Sequence, residues 1–163
     1  MPALIAVDGI DGCGKTTIVN GLGSVPGTQI RITREPFAKS WREMRCTDDW
    51  LIDRRQHIDY IRAQMERGFD VVTDRYASST YAYQGLSWVE SCCGLTPDVL
   101  LIVDTPIDVC EARVVERGEI FDRDAMERIS ERFDQLANRY DFVSYVSDLS
   151  EAISVLRKSG VQI

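Results

Sequence analysis

A glycine-rich stretch near the N-terminus has the residue types and spacing of a loop that binds phosphate. Residues 9–16 read Gly-Ile-Asp-Gly-Cys-Gly-Lys-Thr and fit the pattern GxxxxGK[ST]. The glycines let the backbone aim its amides at phosphate oxygens, Lys15 places a positive charge near the β and γ phosphates, and the Thr16 hydroxyl can bind magnesium. The predicted donor-nucleotide site consists of Gly9, Asp11, Gly12, Cys13, Gly14, Lys15, Thr16 and Thr17.

Two arginines follow predicted strands in equivalent positions. Arg34 lies in Thr-Arg-Glu-Pro after the second strand, and Arg75 lies in Asp-Arg-Tyr after the third. Open α/β sheets bind ligands at the carboxyl ends of their strands, and guanidinium groups bind phosphate oxygens through two hydrogen bonds. The pair therefore predicts an acceptor substrate with its own phosphate. Taken singly, each arginine is equally compatible with a structural salt bridge.

The helix predicted over residues 48–67 carries an arginine, Arg54, inside its apolar stripe, with Trp50 one turn earlier. A buried, unpaired arginine is costly, so we expect both side chains to line a cleft. There Trp50 would stack on a base and Arg54 would donate to its carbonyls. The alternative is a Trp–Arg stack that closes the edge of the domain.

The next helix presents polar and aromatic side chains on one face. They recur with i, i+4, i+7 spacing at Tyr76, Thr80 and Tyr83. This face is expected to shape a pocket for a sugar and base. Packing alone is the alternative for the tyrosines, because aromatic stripes usually belong to a core.

A basic segment over residues of about 113–124 predicts a mobile lid. Arg113 and Arg117 lie one helical turn apart, and Gly118 and Arg123 follow. Phosphoryl transfer requires positive charge over the γ phosphate, so these three arginines join Lys15 and Arg75 as catalytic candidates. The alternative is a solvated loop in which neighbouring carboxylates neutralise the arginines.

Carboxylates at the ends of predicted strands are candidates for holding magnesium beside Thr16. Magnesium takes few protein carboxylates and keeps several waters. We expect Asp74 to hold a metal-bound water, with Asp8 as the second choice. His57, one turn beyond Arg54, is assigned to the surface without a functional role, and Cys13 is expected to pack as a small apolar residue.

Short apolar strands alternate with helical segments along the chain. The strands are predicted over 3–7, 29–32, 70–73, 99–103 and 142–146, and the helices over about 15–22, 48–67, 77–91, 107–117, 124–139 and 149–158. This order is typical of an α/β protein in which helices cover both faces of a parallel sheet. We expect a single domain over residues 1–163.

The composition limits the classes of partner. The 163 residues carry a net charge of −7, which argues against nucleic acid or an anionic membrane as a partner. The chain has five cysteines without a CxxC pair and a single histidine. This set of residues argues against a zinc site. Free thiols, and the lack of a signal or bilayer-spanning segment, predict a cytoplasmic protein.

Together these stretches resemble the thymidylate kinase family of P-loop nucleoside-monophosphate kinases. The matching stretches are LIAVDGIDGCGKTT (4–17), TREP (33–36), Trp50 with Asp53-Arg54, DRYASSTYAYQG (74–85), PDVLLIVDTP (97–106) and ARVVERGEIFDR (112–123). The resemblance implies the P-loop NTPase fold with five parallel strands, transfer of the γ phosphate of Mg-ATP to dTMP, and a homodimer.

The resemblance also implies residue roles. Asp11 would meet the deoxyribose 3′-hydroxyl, Trp50 would stack on the base and Arg54 would reach a thymine carbonyl. Arg34 and Arg75 would bind the acceptor phosphate. Further base- and sugar-side positions are Thr80, Tyr83 and Gln84. The arginines at 113, 117 and 123 resemble the basic lid of the branch whose phosphate loop lacks arginine.

The chain departs from the family where the acceptor pocket is built. The segments 36–50 and 85–97 are abbreviated, and Phe37-Ala38 replaces the usual glycine pair. These departures keep dUMP and 5-substituted forms such as 5-hydroxymethyl-dUMP open as acceptors, and the compact length is typical of a viral or phage enzyme in a host cytoplasm. A deoxynucleoside kinase is disfavoured because a nucleoside has no phosphate for the paired arginines. An ATP-dependent switch is the non-enzymatic alternative.

Overall fold

The computed structural model describes residues 1–163 and contains one sheet of five parallel strands. The strands lie side by side in the order β2-β3-β1-β4-β5. Their bounds are β1 Leu4–Asp8, β2 Ile30–Arg34, β3 Asp70–Asp74, β4 Val99–Val103 and β5 Val143–Val146. The predicted fold class is confirmed, and the predicted strand ends lie within two residues of these, with those of β4 identical.

The burial of the strands follows their place in the sheet. Every residue of β1 and β4 is buried, as expected for central strands that are covered on both faces. The edge strand β2 buries only Thr33. The parallel register aligns Val7 with Asp74 and Arg34 with Asp74. The residues that follow β1, β2 and β3 therefore meet at one edge of the sheet.

Seven helices surround this sheet, and a short 3-10 turn spans Trp41–Glu43. They are α1 Lys15–Gly23, α2 Thr47–Glu66, α3 Ala77–Gln84, α4 Trp88–Cys92, α5 Ile107–Glu116, α6 Arg123–Arg139 and α7 Leu149–Lys158. No helix combines the length with the apolar character that crossing a bilayer demands.

The single helix predicted over residues 77–91 is wrong, because the chain turns between α3 and α4. Gly85 ends α3 with φ 75°, a left-handed conformation that suits glycine. Ser87 then caps α4 by accepting a hydrogen bond from the Glu90 amide, and the Glu90 carboxylate reaches back to Ser87. The serine and glutamate form a capping box that the apolar periodicity does not reveal.

One apolar cluster of 33 buried residues extends from Ala3 to Val161 and includes side chains from β1, β3, β4 and β5, while Ile30 of the edge strand β2 packs against it partly buried. Helix α6 joins this cluster through a stripe with helical spacing, as its periodicity predicts. The buried stripe consists of Met126, Ile129, Phe133 and Leu136. All five cysteines are free thiols.

Candidate active site

The phosphate loop connects β1 to α1 and depends on glycine where it turns. Gly9 and Gly12 have φ 144° and 82°. A Cβ on Gly12 would lie 2.4 Å from the Cys110 carbonyl oxygen, so the loop packs too closely on α5 for any side chain there. The Lys15 ammonium lies inside the curl and donates to the carbonyls of Gly9 (3.1 Å) and Ile10 (2.9 Å).

A cleft of about 800 Å³ runs along the carboxyl edge of the sheet and contains the phosphate loop. Arg34, Glu35 and Arg75 line it beside β2 and β3. The segment after β5 lines it as well, through Ser147, Asp148 and Leu149. Because β2 and β5 are the two edge strands, the cleft spans the full width of the sheet. The loop lies between these ends.

The two acceptor-side arginines are presented differently. Arg34 is exposed, and none of the ion pairs of the chain involves it. Arg75 has φ 68°, a strained conformation for a residue with a side chain that costs about 1 kcal/mol or more. Its guanidinium is ion-paired with Asp11 and donates to Ser79 Oγ at 3.1 Å. Arg75 is therefore held in place, whereas Arg34 is free to bind an anion.

Asp11, Arg75 and Tyr83 form one cluster at the mouth of the phosphate loop. The Tyr83 hydroxyl donates to Asp11 Oδ1 at 3.2 Å, and the Arg75 guanidinium carbon lies 5.2 Å from the centre of the Tyr83 ring. Burial raises the pKa of the Asp11 carboxyl, but the charges of Arg75 and Lys15 outweigh it and hold that pKa below its usual value. The structure thus brings together three residues that were selected from separate motifs.

A hydroxyl and a carboxylate meet beside the loop. Thr16 Oγ1 donates to Asp74 Oδ2 at 2.6 Å, and both residues line the cleft. Asp8 is completely buried and accepts from the hydroxyls of Ser78 (2.7 Å) and Ser79 (2.8 Å). Asp8 does not line the cleft, so the expectation that it is the second-choice carboxylate for magnesium is corrected. The candidate metal site is the pair formed by Thr16 and Asp74.

The expectation that Arg54 lies in an open cleft is wrong. Its side chain is 1% exposed and forms a two-armed ion pair with Glu35, while further N–H groups donate to the Ser91 carbonyl and to Thr80 Oγ1. Its guanidinium lies over the ring of Tyr76, not over Trp50. Burial raises the pKa of Glu35, but the charge of Arg54 outweighs it and keeps that carboxyl ionised at neutral pH.

The predicted base-side residues do not line the main cleft. Trp50 is half-buried on α2, and Thr80 is fully buried as the acceptor for Arg54. Gln84 Oε1 and Ser91 Oγ are buried without a hydrogen-bond partner. Thr80 and the Ser91 carbonyl both contact Arg54, so this side of the guanidinium is occupied by protein groups.

The segment predicted as a lid, residues of about 113–124, comprises the end of α5, a six-residue turn and the start of α6. Arg113 donates to the Gly12 carbonyl at 3.1 Å and lines the cleft together with Arg117. Arg117 forms only an exposed ion pair with Glu119, which contributes little to stability. Arg123 instead pairs with Asp108 and Glu111 of α5 and does not line the cleft. The expectation that Arg123 lies over the donor phosphates is therefore wrong, because two carboxylates hold this side chain at the start of α6.

Two residues of α2 contribute to this site although the sequence patterns do not predict it. His57, which the sequence places on the surface, is completely buried between Glu35 and Thr33. Asp53 is 2% exposed and accepts hydrogen bonds from three consecutive amides, those of residues 37–39. The available signal was their i, i+4 spacing on the inward stripe of α2, next to Arg54.

Comparison with known proteins agrees with this geometry. A family model described as thymidylate kinase matches residues 50–159. A thymidylate kinase of a Synechococcus species is 32% identical, with 91% of this chain and 89% of the relative covered. Probable thymidylate kinase 1 of Saccharolobus solfataricus is 29% identical over 100% of this chain and 97% of the relative, and a probable thymidylate kinase of Thermoplasma volcanium is 31% identical over 85% of each. With a phosphate loop and paired arginines in one cleft, and these relatives matching most of its length, the chain belongs to the thymidylate kinase family.

Proposed function

We propose that the protein transfers the γ phosphate of ATP to the phosphate of dTMP, giving dTDP and ADP. The observation that carries this proposal is that Lys15, Arg34 and Arg75 line one continuous cleft. Two anionic substrates that meet in this cleft would have their reacting phosphates surrounded by positive charge. Membership of the thymidylate kinase family supports a deoxypyrimidine monophosphate as the acceptor.

The residues of the cleft would act by positioning and charge neutralisation, since phosphoryl transfer needs no covalent intermediate on the protein. Lys15, Arg113 of α5 and Arg117 of the following turn would face the donor side, and the loop amides would hold the donor phosphates. Arg34, which lines the cleft, would bind the acceptor phosphate, and Arg75, which is ion-paired with Asp11 of the loop, would contact the same phosphate from the side of the loop. Because Arg75 is already held by Asp11 and Ser79, it needs little reorganisation when charge develops on the transferred group.

Magnesium is the metal that fits the residues present. Thr16 and Asp74 offer two oxygen atoms beside the phosphate loop, and the chain has no cluster of three or more His, Cys, Asp or Glu side chains. Magnesium is commonly held by one or two protein oxygens together with substrate phosphates and waters. When bound, the ion would neutralise charge on the donor phosphates. Thr16 would be its direct ligand, and Asp74 would hold one of its waters.

The Asp74→Asn variant is expected to need about ten- to a hundred-fold more Mg²⁺ for half-maximal rate, because an outer-sphere carboxylate is lost. Asparagine preserves the oxygen that accepts the hydrogen bond from Thr16. Titration of Mg²⁺ at saturating ATP and dTMP measures the effect. Asp59→Asn, on the exposed face of α2, is the matched control. An unchanged Mg²⁺ requirement in Asp74→Asn would remove this residue from the metal site.

We expect the arginines of the lid region to differ in their contribution to kcat. Arg113→Ala should lower kcat by about 10²- to 10³-fold, as expected for the loss of one donor to the developing charge. Arg123→Ala should change kcat by less than about threefold, because Arg123 bonds only to carboxylates of α5, and should lower Tm by no more than about 4 °C. Steady-state kinetics and thermal unfolding of both variants check this. A large loss of kcat in Arg123→Ala would restore its catalytic role.

The acceptor is tested by measuring ADP release with dTMP, dUMP, 5-hydroxymethyl-dUMP, dCMP, dGMP and thymidine. We expect the highest kcat/KM with dTMP. We expect no turnover of thymidine, because it has no phosphate for Arg34 and Arg75. Turnover of thymidine in preference to dTMP would favour a deoxynucleoside kinase. ADP release that no mononucleotide stimulates would favour an ATP-dependent switch.

The proposed assembly is a homodimer, as the family resemblance implies. Large apolar side chains are exposed in the 3-10 turn, on α2 and on α4, with Trp41 67%, Ile52 46% and Val89 79% accessible. In a homodimer, side chains of this kind would be covered by the partner. The net charge of −7 supports neither nucleic acid nor an anionic membrane as a partner, and five free cysteines support the cytoplasm as the compartment. Sedimentation equilibrium measures the oligomeric state.

A further inference from the structure

His57 contacts three alternate residues of the segment that carries Arg34. Its Nε2 lies 3.0 Å from Thr33 Oγ1 and its Nδ1 lies 2.9 Å from Glu35 Oε1. Its ring stacks on Phe37, with the ring centres 4.8 Å apart and the planes at 13°. A single buried ring on α2 therefore holds the chain on both sides of Arg34.

The direction of Arg34 follows from these contacts. Successive side chains of an extended chain point to opposite sides. Thr33 and Glu35 are buried against His57, and Arg34 between them is exposed and lines the cleft. Asp53, one turn before His57, accepts hydrogen bonds from the Phe37 and Ala38 amides and anchors the end of the same segment. Helix α2 thus serves as a template for the backbone that presents Arg34.

The hydrogen bonds of His57 indicate which of its two ring nitrogens carries the proton. The Glu35 carboxylate is ion-paired with Arg54 and can only accept a hydrogen bond, so His57 Nδ1 carries the proton. Nε2 can then accept from the Thr33 hydroxyl. The backbone of this segment is also held by the pairing of β2 with β3 and by the Glu35 amide, which donates to the Asp74 carbonyl at 3.0 Å, so the two bonds of His57 add side-chain contacts on both sides of Arg34 to a fixed backbone.

We propose that His57 is a positioning residue of the acceptor site, which directs the Arg34 guanidinium into the cleft by holding Thr33 and Glu35. The inference rests on the proposed function, because it assigns Arg34 to the acceptor phosphate. His57 itself touches neither substrate. Its effect should therefore fall on the binding of dTMP and depend on the presence of Arg34, while the binding of ATP at the phosphate loop stays unchanged.

The test compares His57→Phe and His57→Asn with the wild type. Phenylalanine keeps a ring to stack on Phe37 but has no partner for Glu35 or Thr33, whereas asparagine keeps an N–H donor near the position of Nδ1. We expect His57→Phe to raise the KM for dTMP by about ten- to a hundred-fold, the range for losing a hydrogen bond to a charged group, and to change the KM for ATP by less than about twofold. His57→Asn should show a smaller increase. Gln56→Ala, exposed on the same helix, is the control.

A double-mutant cycle with Arg34→Ala separates positioning from a general loss of structure. If His57 acts through Arg34, His57→Phe should raise the KM for dTMP by less than about threefold in the Arg34→Ala background. Full multiplication of the two effects, or equal increases in the KM of both substrates, would overturn the proposal. Should His57→Phe fail to fold, Thr33→Val removes only the Nε2 partner, and a wild-type KM for dTMP in that variant would overturn it as well. A wild type that does not phosphorylate dTMP would instead refute the proposed function.

Discussion

Replacing Arg75 with alanine is expected to lower kcat for dTMP phosphorylation by about 10³- to 10⁵-fold, the range found for arginines that stabilise charge in phosphoryl transfer. Arg75 lines the cleft beside the phosphate loop with its guanidinium held by Asp11 and Ser79. It is therefore the cation best placed to contact both substrates. Its strained backbone, with φ 68°, indicates that the fold maintains this placement at a cost in stability.

The fold should survive this substitution. Alanine meets the same left-handed strain as arginine, and the Asp11 side chain that loses its partner is 40% exposed, so water can replace the lost bonds. The buried Asp8 carboxylate, 4.0 Å from the Arg75 guanidinium, keeps the hydroxyls of Ser78 and Ser79 as donors. Arg75→Lys should recover part of the rate, because it restores the charge without the two-armed geometry. Arg62→Ala, on the exposed face of α2, is the control. Circular dichroism and single-turnover kinetics measure the two effects separately, and a near-normal rate in Arg75→Ala would exclude Arg75 from the mechanism.

Replacing Arg54 with methionine is expected to lower the free energy of unfolding by about 3–5 kcal/mol. The cause is the carboxylate left behind, since Glu35 is buried and would lose the guanidinium that neutralises it. The carbonyl of Ser91 and the hydroxyl of Thr80 would lose their donor as well. Urea denaturation at neutral pH measures the loss, and a decrease below about 1 kcal/mol would contradict the buried ion pair.

This loss should depend on pH in a defined direction. In the wild type the pKa of Glu35 lies below its ordinary value, because Arg54 outweighs the effect of burial, so its contribution to stability is present at neutral pH and is lost as the pH falls through that lowered pKa. Without Arg54, burial alone would raise the pKa of Glu35, and stability would fall as the pH rises through the raised value. The deficit of Arg54→Met should therefore shrink between about pH 7 and pH 5. Adding Glu35→Gln should recover stability and flatten the dependence.

Local patterns were sufficient for the donor side and for the sheet. The phosphate loop depends on glycines and a lysine that are adjacent in sequence, and its strand and helix context follows from apolar periodicity over a few residues. Arg34 and Arg75 could be assigned to one cleft because the carboxyl ends of neighbouring parallel strands must meet at the same edge. Apolar periodicity does not predict the break between α3 and α4 at Gly85, because the capping residues there interrupt no apolar stripe.

The fold, the phosphate loop and the edge of the sheet at which the site lies are predictable from the amino-acid sequence, since each depends on neighbours in the chain or on strand direction. Which charged side chains face a ligand and which face each other depends on how distant segments pack. Arg54 is paired with Glu35, 19 positions away, and Arg123 is paired with Asp108, 15 positions away. A charged side chain takes the partner that best compensates its loss of water, and that partner is known only once distant segments have packed together.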